Sequence, residues 1–179
     1  LSFTAISVIA ILYFLVPDKE FKLFLILILI PILIFLSFNF SIFKLPKMFL
    51  GDSGSLLLGF IISFILIYLA SKNTVHPILL AWSIAVFVYE FLSVNIIRIR
   101  NSHSPFQAGQ DHLHHLLFRK TKSIFTTNLF ISFLNISLFF TGYLSFLFLN
   151  ALISLILFIS IFLLFLFLRT HFQDSQNLN

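Results

Sequence analysis

Two short polar stretches stand out in this chain. "FLGDSGSLLLGF", residues 49–60, sets Asp52 between two glycines, and "AGQDHLHHLLFRK", residues 108–120, gathers three of the six histidines within four residues. A carboxylate at the start of a helix can hold a hard cation such as Mg2+ through oxygen. Glycines beside it allow close backbone approach, and the free N–H groups of a helix start favour phosphate. A plainer role is also open, in which Asp52 and Ser53 cap the helix. Gly51, Ser55 and Gly59 would then form a small-residue stripe for close packing. His112, His114 and His115 could bind Zn2+, but a zinc site usually wants a fourth ligand or an exchangeable position. Near Arg98, Arg100 and Arg119 they are better placed as donors to an anion. The plainer alternative there is an interfacial helix whose histidines are incidental.

The rest of the chain must position these groups. Of its 179 residues, 60% are hydrophobic and 9% charged, with a mean hydropathy of +1.10. That is too little polar surface for a soluble domain. The expected fold is an all-α polytopic membrane protein, because helices satisfy their own backbone hydrogen bonds in lipid. There is no cysteine, so thiol chemistry and disulfides are excluded. The bases are thinly spread among lipid-like Phe, which excludes a nucleic-acid surface. At ~20 residues per crossing, about six spans are expected: 2–16, 23–40 with a kink at Pro31, 56–71, 77–97, and the block 123–168 folded in two at Thr141-Gly142-Tyr143. The tail from Arg169 reads as polar and frayed.

With six crossings, Lys44, Lys47, Arg98, Arg100, Arg119, Lys120, Lys122 and Arg169 share one side, and Lys19, Lys22 and Lys72 the other. The positive-inside rule then puts the "GDSGS" stretch and a loop over 98–122 in the cytoplasm. Residues 111–119 read as an amphipathic helix capped by Asp111. Leu113, Leu116 and Leu117 lie on one face, His112, His115 and Arg119 on the other, and His114 to the side. Glu90, within the fourth span, is expected to pair with a base or to order the helix end. Asn39, Asn95, Asn128 and Asn135 read as interhelical hydrogen-bonding groups, and His76 and His171 as incidental.

"FNFSIFKLPKMFLGDSGSLLLGF" followed by "SPFQAGQDHLHHLL" resembles the polyprenyl-phosphate N-acetylhexosamine-1-phosphate transferases, over about residues 36–118. These bacterial enzymes start O-antigen, teichoic-acid and peptidoglycan lipid intermediates, and the H-x-H-H spacing looks more like the first two branches. The resemblance implies transfer of a sugar-1-phosphate from a UDP-N-acetylhexosamine to undecaprenyl phosphate, with Mg2+ as cofactor and UMP released. It implies that Asp52 binds the metal, that His112, His114 and His115 belong to a nucleotide-sugar motif, and that Arg98 contacts phosphate. It further implies an inner-membrane location with a cytoplasmic active face, and leaves room for a homodimer.

Gly109 and Gln110 stand where the family often has Asp-Arg, and Glu90 where it often has Asp. The family's Asp-Asp pair and its Asn-x-x-Asp-Gly-x-Asp-Gly stretch do not occur here. The expectation is therefore a single membrane domain that forms the C-terminal part of a longer enzyme and is inactive alone. The competing reading is a non-catalytic membrane protein, such as a transporter subunit with a histidine-rich loop. A transporter would place its polar groups near the bilayer midplane, whereas here they gather at one interface. A paralogue that binds without turnover is a third reading.

Overall fold

The structure, a computed structural model, describes residues 2–40, 46–102, 104 and 112–177, with side chains as far as 171. Lys44, Gly109, Gln110 and Asp111 lie outside the described residues. The described residues form helices and no strands, as expected. They fall into two compact units, Leu1–Ser83 and Ile84–Asn179.

The first unit holds α1 (Ser2–Leu15), α2 (Lys19–Asn39), α3 (Gly51–Ser71) and α4 (Pro77–Ser83). Helix α1 ends before Val16-Pro17, where proline removes a backbone donor. Asp18 then caps α2, its carboxylate accepting from the Glu20 N–H at 3.2 Å. Helix α2 runs unbroken through Pro31. It packs on α1, where Phe3 meets Phe40 edge-on at 5.5 Å, and on α3, where Phe21 stacks on Tyr68 at 5.6 Å. Asn39 does not bridge two helices. Its Nδ2 donates to the Met48 carbonyl at 2.9 Å and so closes the connection that leads into α3.

The second unit holds α5 (Ala85–Arg100), α6 (Leu113–Thr121), α7 (Ile124–Phe148) and α8 (Ala151–Asn177). Ser123 caps α7, accepting from the Thr126 N–H at 3.3 Å. Asn135, fully buried on α7, accepts from the Val86 N–H at 3.3 Å and satisfies a first-turn donor of α5. Asn95 instead bonds back to the Phe91 carbonyl of its own helix. Tyr89 lies among Phe158, Phe162 and Phe165 and donates to the Phe158 carbonyl at 2.7 Å, which ties α5 to α8.

Three expectations are corrected. Among the described residues, the number of helices long and apolar enough to cross a membrane is four, or five if α4 and α5 count as one broken span, rather than about six. Helix α1 has 14 residues, which at ~1.5 Å each falls short of a hydrocarbon core of ~30 Å. The block 123–168 turns not at Thr141-Gly142-Tyr143 but at Leu149-Asn150. Gly142 lies buried inside α7, where its carbonyl accepts from Ser154 of α8 at 3.3 Å, and Ser145 and Ser154 join at 2.9 Å. The small residue serves close helix approach, and the turn falls to Asn150, whose side chain accepts from the Ile153 N–H. Finally, α8 continues to Asn177, so Arg169 does not start a frayed tail. It is buried.

Candidate functional site

Asp52 sits in the first turn of α3 with its side chain exposed. It does not cap the helix. The N-cap position is Leu50, which makes no side-chain cap bond, and only the Asp52 backbone carbonyl is engaged, by Ser55 Oγ at 2.8 Å. Among the described residues the carboxylate has no hydrogen-bond or ion-pair partner. Gly51 has φ +64°, a backbone angle that side-chain-bearing residues rarely adopt. A Cβ at Gly51 or Gly59 would meet nothing within 4 Å. The face carrying Gly51, Ser55 and Gly59 is therefore open within this unit and is not the packed stripe that the spacing also allowed. The donor chemistry fits Mg2+, which is commonly held by one or two carboxylates with substrate phosphates and water completing its shell. Asp52 would supply one such carboxylate.

The histidines are built into the second unit by a carboxylate from another helix. His112 is the extended N-cap of α6 and makes no cap bond with its side chain. Glu90 of α5 takes that role: its Oε1 accepts from the Leu113 N–H at 2.8 Å and lies 3.3 Å from His112 Nδ1. A negative group at a helix start meets unpaired N–H donors and the positive end of the helix dipole. The other side of the same carboxylate is held by Arg169 of α8. Arg169 Nη1 binds Glu90 Oε2, its Nη2 donates to Oε1 at 3.3 Å, and Nη1 also reaches Ser93 Oγ at 2.9 Å. The side chains of Arg169 and Glu90 are 2% and 18% exposed. Glu90 thus both pairs with a base and orders a helix end, but the helix is α6 and not its own.

His114 does not stand aside. Its ring lies between the other two, 5.6 Å from His112 in a stacked pair and 4.2 Å from His115. The wheel argument failed because His112 precedes the helix, so helical angles do not apply to it. Although solvent reaches part of the ring, its pKa is lowered to about 4, by desolvation first and by the charges of His115 and His112 next, with Glu90 acting the other way. At neutral pH His114 is therefore an uncharged ring. Arg98 lies half-buried in the last turn of α5, beside Arg100, where positive charge suits the helix dipole. Arg119 is exposed in the last turn of α6. Among the described residues, no three or more His, Cys, Asp or Glu are arranged to hold a metal ion together. His76, expected to be incidental, accepts from the Ile78 N–H at 3.3 Å at the start of α4.

Asp52 belongs to the first unit, and Arg98 and the histidines to the second. Sequence reasoning missed the Glu90–Arg169–Ser93 cluster as the anchor of α6. The available signals were a carboxylate in an apolar span and a base at the end of the last apolar helix.

Apolar helices long enough to cross a bilayer define a polytopic membrane protein, with an exposed carboxylate at the start of one helix and an anchored run of imidazoles at the start of another. Residues 1–70, which include Asp52 and end before the histidines, match the family model of glycosyl transferase family 4. The undecaprenyl-phosphate alpha-N-acetylglucosaminyl 1-phosphate transferases of Yersinia pestis and Escherichia coli K12 are each 35% identical over 75 residues, 41% of this chain and 20% of theirs. The Haemophilus influenzae protein of the same name is 35% identical over 97 residues, 51% of this chain and 27% of its own. The resemblance drawn from the motifs is borne out by these matches. The matched stretch spans only about a fifth to a quarter of the relatives' length. No solved structure matches the chain.

Proposed function

We propose that the intact protein transfers an N-acetylhexosamine-1-phosphate from a UDP-sugar to undecaprenyl phosphate and releases UMP. The observation that carries this is the Asp52 carboxylate: exposed, not used as a cap, and inside the stretch that matches the family model. An oxygen of the lipid phosphate attacks the phosphorus that bears the sugar. The bond from that phosphorus to the oxygen bridging it to the UMP phosphate breaks, and UMP leaves with the electron pair. Asp52 would hold Mg2+, which when bound neutralises charge developing on the transferred phosphate. The open backbone at Gly51 lets a phosphate approach the start of α3. The ring series His112–His114–His115 lies at the start of α6 and offers imidazole nitrogens to the nucleotide sugar, and Arg98 supplies a fixed positive charge for its phosphates. The uneven distribution of basic residues supports a cytoplasmic active face in the bacterial inner membrane.

The test uses the intact protein in nanodiscs with undecaprenyl phosphate and labelled UDP-N-acetylglucosamine. Lipid-linked label and UMP should appear in equal amounts, should stop on chelation of Mg2+, and should fall steeply in Asp52→Asn. Donor binding without any lipid product would favour a non-catalytic binding protein. Failure to bind the donor at all would overturn the reading.

A further inference from the structure

Resting on the reading that the histidines meet the nucleotide sugar, we infer that Glu90 is a positioning residue, and that it fixes both the start of α6 and the orientation of the His112 ring. One carboxylate joins three helices. Its Oε1 takes the Leu113 N–H of α6, its Oε2 takes Arg169 of α8, and its stem rises from α5. Among the described residues α6 has no local side-chain cap, and the Glu90 carboxylate takes its first-turn N–H instead. His112 Nδ1, 3.3 Å from Oε1, carries the proton in that bond because a carboxylate only accepts. Nε2 is therefore the nitrogen turned away from Glu90 and presented to a ligand. The same arrangement orients metal-bound and catalytic imidazoles generally, where the partner of one ring nitrogen decides what the other can do.

Arg169 has a separate task. It holds the carboxylate in register from the far side and also donates to Ser93 Oγ at 2.9 Å. Deleting Glu90 alone would strand the Arg169 charge in a buried place, so single substitutions confuse folding with positioning. Replacing both charges avoids this, because buried ion pairs often give way to apolar groups with little loss of stability.

Two double variants of the intact protein separate the roles. E90Q/R169M removes both charges but keeps an amide oxygen for Leu113 and His112. E90A/R169M removes the charges and the acceptor. If Glu90 positions α6, E90A/R169M should raise the KM for UDP-N-acetylglucosamine by about tenfold, with kcat and the KM for undecaprenyl phosphate changed much less. E90Q/R169M should return the donor KM most of the way to the wild-type value. Equal donor KM in the two variants would overturn the proposal. Amide hydrogen exchange over residues 113–117, measured without substrate, reads the anchor on its own: it should quicken in E90A/R169M and not in E90Q/R169M, while α7 is unchanged. If exchange behaves so but the wild-type protein turns over no UDP-sugar, the positioning stands and the functional reading falls. Unchanged exchange in E90A/R169M overturns the positioning whatever the activity.

Discussion

The Glu90–Arg169 pair should respond unequally to loss of its two members. In Glu90→Ala the guanidinium, 2% exposed, keeps Ser93 Oγ but loses the carboxylate that balances its charge, and an arginine cannot shed that charge. Breaking a buried pair from this side costs about 3–5 kcal/mol. Losing the acceptor of the Leu113 N–H adds about 1 kcal/mol. In Arg169→Met the carboxylate left behind is 18% exposed and keeps the Leu113 N–H and His112. Water can also reach it, so the cost should be about half as large. For a folding unit of about 150–250 residues, each kcal/mol moves the melting temperature by about 2–4 °C. Glu90→Ala should therefore melt roughly 8–24 °C below wild type and Arg169→Met roughly 4–12 °C below. Circular dichroism melts of the protein in one detergent, at one protein concentration, read both. An Arg169→Met protein that melts at or below Glu90→Ala would refute the reasoning, because it would mean that the carboxylate and not the guanidinium is the harder charge to strand.

Asp52→Asn should lower turnover by about 10²–10³-fold, the usual cost of losing one group that stabilises transition-state charge. Its melting temperature should stay put, since the carboxylate caps nothing. His112→Ala and His115→Ala should weaken donor binding, seen as raised KM with little change in kcat, and His114→Ala should leave the salt dependence of binding unchanged, because that ring is uncharged near pH 7. His114 also sets an acid sensitivity. Its folded pKa of about 4 lies below the ordinary 6.5, so the unfolded chain binds the proton first and stability is lost as pH falls from about 6.5 towards 4, with no effect above that window. His114→Asn should flatten the fall in melting temperature across that range, and an unchanged pH profile would contradict the assignment. A cysteine at the exposed Ser102 should react with an impermeant thiol reagent only after the inner membrane is opened. Labelling in cells with a leaky outer membrane alone would reverse the topology.

The helical class and most of the apolar segments were legible because hydropathy is a property of long windows and needs no partners. The Asp52 stretch was legible for a similar reason, since glycines on both sides of one acid can be read locally. What failed was mostly what depends on a second helix, although Asn135 does bridge two helices as read. Gly142 looked like a turn because glycine breaks helices in water, but against α8 it is a contact surface. The wheel over 111–119 misplaced His114 because it assumed that His112 was already helical. Arg169 looked like the first residue of a solvated tail, and nothing near it in sequence points to a carboxylate on α5. Glu90 itself was legible as a group needing a base, but not which base, nor that it would hold another helix's start.

The partners Glu90 and Arg169 are 79 residues apart in the chain. At a synthesis rate of about 5–20 residues per second, the ribosome makes the acid roughly 4–16 s before it makes the base. During that interval α5 is completed and α6 and α7 are made, and the histidine run gains a cap that Arg169 does not yet hold from behind. Helix α8, made after α5, α6 and α7, is thus the one that locks the histidines, and a chain cut short before Arg169 would carry those three helices without that lock.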